Sequence, residues 1–154
     1  MLKLSVMGLK GGVGKTSVTL GLAGAATLRG LATLVVDLDP QGNATSILAA
    51  EQTDVTMADV LANPTRATLE SALSACDWEI GPGEVDVLPA NPELVSFDAY
   101  KAGSFRPRLA KLMPFLDGYD LVLFDLPPSH GALVRDALSV SDAAVVVTTP
   151  SFFG

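Results

Sequence analysis

Two lysines bracket a glycine run near the amino terminus, Lys10-Gly11-Gly12-Val13-Gly14-Lys15-Thr16-Ser17. In such a run the backbone can curl until successive N–H groups point inward at an anion, because glycine reaches conformations closed to other residues. A lysine closing the run reaches the β- and γ-phosphates of a nucleotide, and the hydroxyl after it ligates Mg²⁺. Those roles fall to Lys15 and Thr16. A loop of this kind needs a strand before it and a helix behind it. Leu2 to Met7, with apolar Leu2, Leu4 and Val6, reads as the strand, and Val18 to Arg29 as the helix. The helix opens at about Gly14, and its positive dipole end lies beneath the phosphates. Against the spacing G-x-x-x-x-G-K-[ST] the close is regular. The opening is not: the first glycine position falls on Leu9, with Gly8 one residue early and Lys10 at the head of the run.

Carboxylates supply the rest of the chemistry. Ala32 to Val36 is a β-branched-rich strand that runs into Asp37-Leu38-Asp39-Pro40-Gln41-Gly42-Asn43. In open α/β sheets ligands bind at the carboxyl ends of the strands, where these acids lie. Asp37 and Asp39 alternate, so one can face a metal while the other faces along the loop. In-line attack on a γ-phosphate needs a water held on the side away from the leaving group, and an acid does that. A plainer alternative is that Asp39-Pro40 turns the chain and Asn43 caps a helix. Further on, Tyr119 to Phe124 is an apolar strand interrupted only by Asp120, and it ends in Asp125. An acid in that place binds a Mg²⁺-coordinated water opposite Thr16. Pro127-Pro128-Ser129 follows. His130 after it is either a sensor of phosphate or partner or an ordinary loop residue.

These residues need a scaffold. The 154 residues suit one domain, 1–154. Hydrophobic residues make up 49% of the chain, as suits parallel strands covered on both faces. The expected fold is therefore α/β, a mostly parallel sheet with helices on both faces. Helical spacing appears in Thr45–Ala50, Met57–Leu61, Leu69–Ala75 and Gly131–Val140, and further strands in Val85–Leu88 and Ala143–Val147. The last reads as a core strand; at a sheet edge it would expose apolar surface. Trp78 is expected to pack on the sheet edge or the helices, and Cys76 to be a small buried apolar residue.

Charge and cysteine usage narrow the partners. A net charge of −7 argues against a broad DNA-binding surface, though not against a local basic patch. Lys101, Arg106, Arg108 and Lys111 concentrate positive charge before Leu112–Leu116, as a solvated helix face or a phosphate-backbone contact. The single cysteine forms no internal disulfide and fits a reducing, cytoplasmic setting. The chain enters a strand directly, without a signal peptide. Ser17 to Val36 is apolar, but Arg29 and Gly30 divide it into helix, turn and strand, so no membrane-spanning segment is expected.

The extra lysine, Lys10, is the mark of the deviant Walker A motif, and the chain resembles the ParA/MinD family of P-loop ATPases. Val36 to Thr45 looks like the second motif of ParA proteins in nearly every position. Leu88-Pro89-Ala90-Asn91 and the Asp-x-Pro-Pro segment Asp125–Pro128 add to the likeness. The resemblance implies an ATP site on Lys10, Gly11, Gly12, Val13, Gly14, Lys15, Thr16 and Ser17, with Mg²⁺ attended by Thr16, Asp37 and Asp125. It gives Asp37 a hold on the metal's water shell and Asp39 the attacking water. It sends Lys10 across a face-to-face, ATP-dependent homodimer to the partner's phosphates, so that Lys10, Lys15 and Asp39 form the catalytic set. The implied function is slow ATP hydrolysis in DNA partition, stimulated by a ParB-like protein, with nonspecific DNA or the nucleoid as the track. A MinD-like positioning role is an alternative, although Asp-Pro-Gln-Gly-Asn is closer to ParA. A non-catalytic scaffold partner of a longer homologue is another. Nitrogenase-type iron proteins share the fold but use two cysteines per subunit, and this chain has one. Relative to the family the chain is short at its carboxyl end: the segment that cups the adenine and most DNA-binding residues would follow Gly154.

Overall fold

The computed structural model describes residues 1–49, 51–99 and 107–150. Six strands form one sheet: β1 (Leu2–Met7), β2 (Ala32–Asp37), β3 (Ser74–Ala75), β4 (Glu84–Leu88), β5 (Leu121–Asp125) and β6 (Ala143–Val146), in the order β3-β4-β2-β5-β1-β6. All neighbours are parallel except β3 and β4. The helices among the described residues are α1 (Lys15–Leu28), α2 (Asn43–Leu48), α3 (Met57–Ala62), α4 (Arg66–Ala72), α5 (Val95–Asp98) and α6 (Ala132–Val140).

The sheet is covered on both faces, which explains its continuous apolar strands. Side chains alternate along a strand. Leu34, Val36, Val122 and Phe124 therefore join α3, α4 and α6 in one core, and Val35, Leu121 and Leu123 join α1 and α2 in the other. Ala23 and Ala26 let α1 lie close on its face, and Trp78 and Cys76 pack, partly buried, against the same core. The register sets the ends of β1, β2 and β5 level. Asp37 pairs with Asp125, and Val6 pairs with Asp125 on the other side. The turns at 8–14, 38–42 and 126–131 consequently emerge side by side.

The structure departs from the expected elements in three places. The Leu69–Ala75 segment is helical only to Ala72; Ser74 and Ala75 form β3, antiparallel to Val87 and Asp86. Extended backbone at Leu73 ends the helix, and pairing with β4 overrides the helical spacing. Over its described residues the basic run before Leu112–Leu116 is not an α-helix: Leu109–Lys111 and then Met113–Phe115 form 3₁₀ turns. Pro114 lacks the N–H that a continuing α-helix needs there. Finally, β6 takes the sheet-edge alternative instead of the core place: among the described residues it pairs with β1 alone, and Val146 is 65% exposed. Lys101, Arg106 and the end at Gly154 lie outside the described residues. Arg108 sits elsewhere than on a solvated face. Its Nη1 donates to the Leu61 carbonyl (2.8 Å), and its guanidinium lies over the Phe97 ring. Among the described residues no helix is long and apolar enough to cross a membrane.

Candidate functional site

Gly14 caps α1 in the left-handed region, with φ of 98°, where a side chain is strained. Helix begins at once with Lys15, and the first bond within it runs from Val18 N–H to the Gly14 carbonyl (3.0 Å). The N–H groups of Lys15, Thr16 and Ser17 precede that bond, as an anion site requires. In front of them lies a cavity of about 390 Å³. Gly11, Gly12, Gly14, Lys15, Thr16 and Ser17 form one wall; Asp39, Gln41, Asn43 and Pro128 form the others.

Beneath the loop, Asp125 ends β5 and is buried. The Thr16 hydroxyl donates to its Oδ2 (2.8 Å). The Thr19 hydroxyl lies 3.0 Å from Oδ1 and 3.1 Å from the Lys15 carbonyl, and these two acceptors share its proton. Burial pushes the Asp125 carboxyl above the ordinary range; the two threonine hydrogen bonds and the Lys15 charge oppose that rise, and the Asp39 charge adds to it.

Asp37, one strand away, is also buried, but its oxygens face a different set of donors. Oδ1 accepts the Asp39 N–H (3.1 Å), and Oδ2 accepts both the N–H (2.8 Å) and the hydroxyl (2.7 Å) of Thr45. Burial raises its pKa to about 6, with the Thr45 bonds opposing and the Asp125 charge adding to the rise. Asp39 lines the cavity, and its Oδ1 accepts the Gln41 N–H (3.0 Å) in a tight turn. The arrangement thus presents N–H donors and an ammonium to an anion on one side, a hydroxyl–carboxylate pair below, and a carboxylate opposite.

The residues expected from the sequence divide three ways. Gly11, Gly12, Gly14, Lys15, Thr16, Ser17 and Asp39 meet at the cavity. Asp125 and Asp37 lie beneath it, and only Asp125 touches the phosphate-loop helix. Lys10 and Val13 instead line a neighbouring depression with Leu9 and residues 146–149. Sequence reasoning missed Thr19 and Thr45 as partners of the buried acids. Thr19 follows Lys15 by four residues, one helical turn, and that spacing was a usable signal. Gln41 and Asn43 were visible as members of the ParA-like segment, and Asn43 as a candidate helix cap; the cap is Gly42. Ser129 of the loop after β5 donates to Asp98 Oδ2 (2.7 Å), while Asp98 Oδ1 accepts the Leu133 N–H (3.1 Å). That loop is therefore tied to α5 and to the start of α6. His130 is exposed on it and does not line the cavity.

A family model described as an AAA domain matches residues 1–154. The sporulation initiation inhibitor protein Soj of Bacillus subtilis is 34% identical over 148 residues, covering 93% of this chain and 56% of its own length. The chromosome partitioning protein ParA of Myxococcus xanthus is 35% identical over 140 residues, covering 89% and 48%. The chain spans about half the length of these curated relatives. Cobyrinic acid a,c-diamide synthase from Mycobacterium smegmatis, solved with an ATP analog and magnesium, matches with a TM-score of 0.81 and 32% identity, over 96% of this chain and 60% of that one. A plasmid partition protein from Borrelia burgdorferi, at 21% identity over 100% of this chain and 69% of its own, shares the fold with a TM-score of 0.81.

Proposed function

This chain belongs to the AAA-domain family of ParA/MinD-like P-loop proteins, and from that we infer that its phosphate loop binds Mg²⁺·ATP and hydrolyses it. The observation that carries the reading is the Thr16–Asp125 hydrogen bond beneath a glycine loop, with Asp39 on the facing wall. The donor set suits Mg²⁺. Among the described residues no group of three or more His, Cys, Asp or Glu side chains could hold a metal by itself. Mg²⁺ is commonly held by one or two protein oxygens together with substrate phosphates and waters, rather than by an all-protein cage. Thr16 would hold it directly and Asp125 through water; when bound it would offset the charge of the phosphates.

The chain's own groups do the rest. The N–H groups of the loop and of the first turn of α1 bind the phosphate oxygens, and Lys15 reaches the β- and γ-positions. Asp39 accepts a hydrogen bond from the attacking water and aims it along the line of the breaking bond. Lys10 lies on the neighbouring depression, beside the phosphate cavity. We assign it to the partner's phosphates in an ATP-dependent homodimer, where it offsets transition-state charge. Hydrolysis then dissolves the dimer, which makes the enzyme a switch. The relative named a chromosome partitioning protein, ParA, supports DNA partition as the job; our reading adds to it a ParB-like activator, nonspecific DNA and a cytoplasmic setting.

Light scattering with ATP and without it tests the switch. Lys10→Ala keeps nucleotide binding and loses ATP-driven dimerisation; unchanged dimerisation removes the cross-dimer role. Asp39→Ala keeps binding and stops turnover; normal turnover removes Asp39 from the mechanism.

A further inference from the structure

The Thr45 hydroxyl is used on both sides. It donates to Asp37 Oδ2 (2.7 Å) and accepts the N–H of Ala90 (2.8 Å) from the loop that follows β4. Thr45 also donates its backbone N–H to the same Asp37 oxygen (2.8 Å). The other oxygen of Asp37 takes the Asp39 N–H (3.1 Å). One buried carboxylate therefore holds the first residues of the 38–45 loop and its far end, and one hydroxyl ties that loop to residue 90. Asp39 hangs between these anchors, closed further by Gly42 N–H on its carbonyl (2.8 Å).

We propose that Thr45 is a positioning residue, which acts on the reaction by fixing Asp39 through this tether to Asp37 and Ala90. The inference rests on the hydrolytic reading above. Its physical basis is that Asp37 takes donors from both ends of the segment that carries Asp39, and that the Thr45 hydroxyl joins this carboxylate to Ala90. A buried N–H or carboxylate deprived of its partner is destabilised, so a loop that loses the tether rearranges to regain hydrogen bonds. Asp39 then leaves the line of attack. A displacement of about 1 Å in such a group costs on the order of 100-fold in rate.

Thr45→Val keeps the shape and removes the hydroxyl; Thr45→Ser restores it. Asp37→Asn cannot accept at every position, because its amide nitrogen always meets a donor. Two readouts are needed. Amide hydrogen exchange of Thr45, Asp39 and Ala90, in the full chain without nucleotide, reports the tether alone. Single-turnover hydrolysis and half-saturating Mg²⁺ concentration, with ATP as the probe, report the chemistry.

The expected result is faster exchange at Ala90 and Thr45 in Thr45→Val and in Asp37→Asn. In Thr45→Val turnover falls on the order of 100-fold while Mg²⁺ half-saturation stays within about twofold, and Thr45→Ser recovers both protection and rate. Wild-type protection at Ala90 in Thr45→Val overturns the tether. A raised Mg²⁺ requirement in Thr45→Val, or unchanged exchange in Asp37→Asn, overturns the proposal. If the wild type itself does not turn over, the hydrolytic reading fails separately. The exchange comparison still decides the tether, and unchanged protection in both variants rejects it.

Discussion

Asp37 and Asp125 are the same residue type at the same height in adjacent parallel strands, paired in register, and both are buried. Burial raises the pKa of each. Their surroundings differ in who donates. Asp125 receives side-chain hydroxyls from α1, an element that comes straight off the phosphate loop. Asp37 receives backbone and side-chain donors from its own downstream loop. The lesson is that strand-end position makes an acid available, and the neighbouring donors decide what it serves. One acid is tied to the helix behind the phosphate loop, the other to the loop that carries Asp39.

The largest effect that separates the two comes from Asp125→Ala. It removes the acceptor beneath Thr16, and ATP turnover falls roughly 1,000-fold, with a raised Mg²⁺ requirement, read by phosphate release across a Mg²⁺ titration. An Asp125→Ala chain that keeps the wild-type Mg²⁺ requirement would erase the distinction.

Much of that site could be read in the sequence because its parts are local. The run from Lys10 to Ser17, the apolar strand before Asp125 and the Asp37–Asn43 turn each announce themselves within ten residues. The sheet's parallel order followed from apolar strands alternating with helical segments. What could not be read is what spans the fold. Thr19 reaches Asp125 across 106 positions, and Thr45 reaches Ala90 across 45. No local pattern encodes such pairs. Ser74–Ala75 looked helical because its pairing partner lies beyond the next loop. The Ala143–Val146 strand was legible as a strand, but its edge place depends on the order of the whole sheet.

The pH dependence of stability sharpens the comparison next. The folded pKa of Asp37, about 6, stands above its ordinary 3.8. The native state then binds the proton more tightly than the unfolded chain. Its contribution is fully present below pH 3.8 and is lost as pH rises toward 6. The wild-type unfolding free energy, measured against that of Asp37→Asn by urea titration, should fall by about 2 kcal/mol between pH 4 and 6. A pH-independent difference would mean that burial does not act on Asp37 in this way.

A smaller effect tests the other side. Thr19→Val removes the hydroxyl on Asp125 Oδ1 while Thr16 remains. The half-saturating Mg²⁺ concentration rises about tenfold, and Thr19→Ser reverses it. Exchange at Ala90 stays as in the wild type, since that tether belongs to Asp37.

The smallest effect concerns how the two loops enter their helices. Gly14 before α1 and Gly42 before α2 are both left-handed caps without a side-chain hydrogen bond. With φ of 64°, Gly42→Ala costs about 1 kcal/mol of stability, read from the urea midpoint. An unaltered midpoint would show that the loop holding Asp39 tolerates another entry into α2.

The central claim, that the phosphate loop holds Mg²⁺·ATP, is met most directly by calorimetric titration of ATP with Mg²⁺ into the wild type and into Lys15→Ala. Saturable binding by the wild type, lost in Lys15→Ala, is the predicted result. A wild type that releases no binding heat and leaves free ATP undiminished on equilibrium dialysis, or a Lys15→Ala chain that binds equally well, would contradict it.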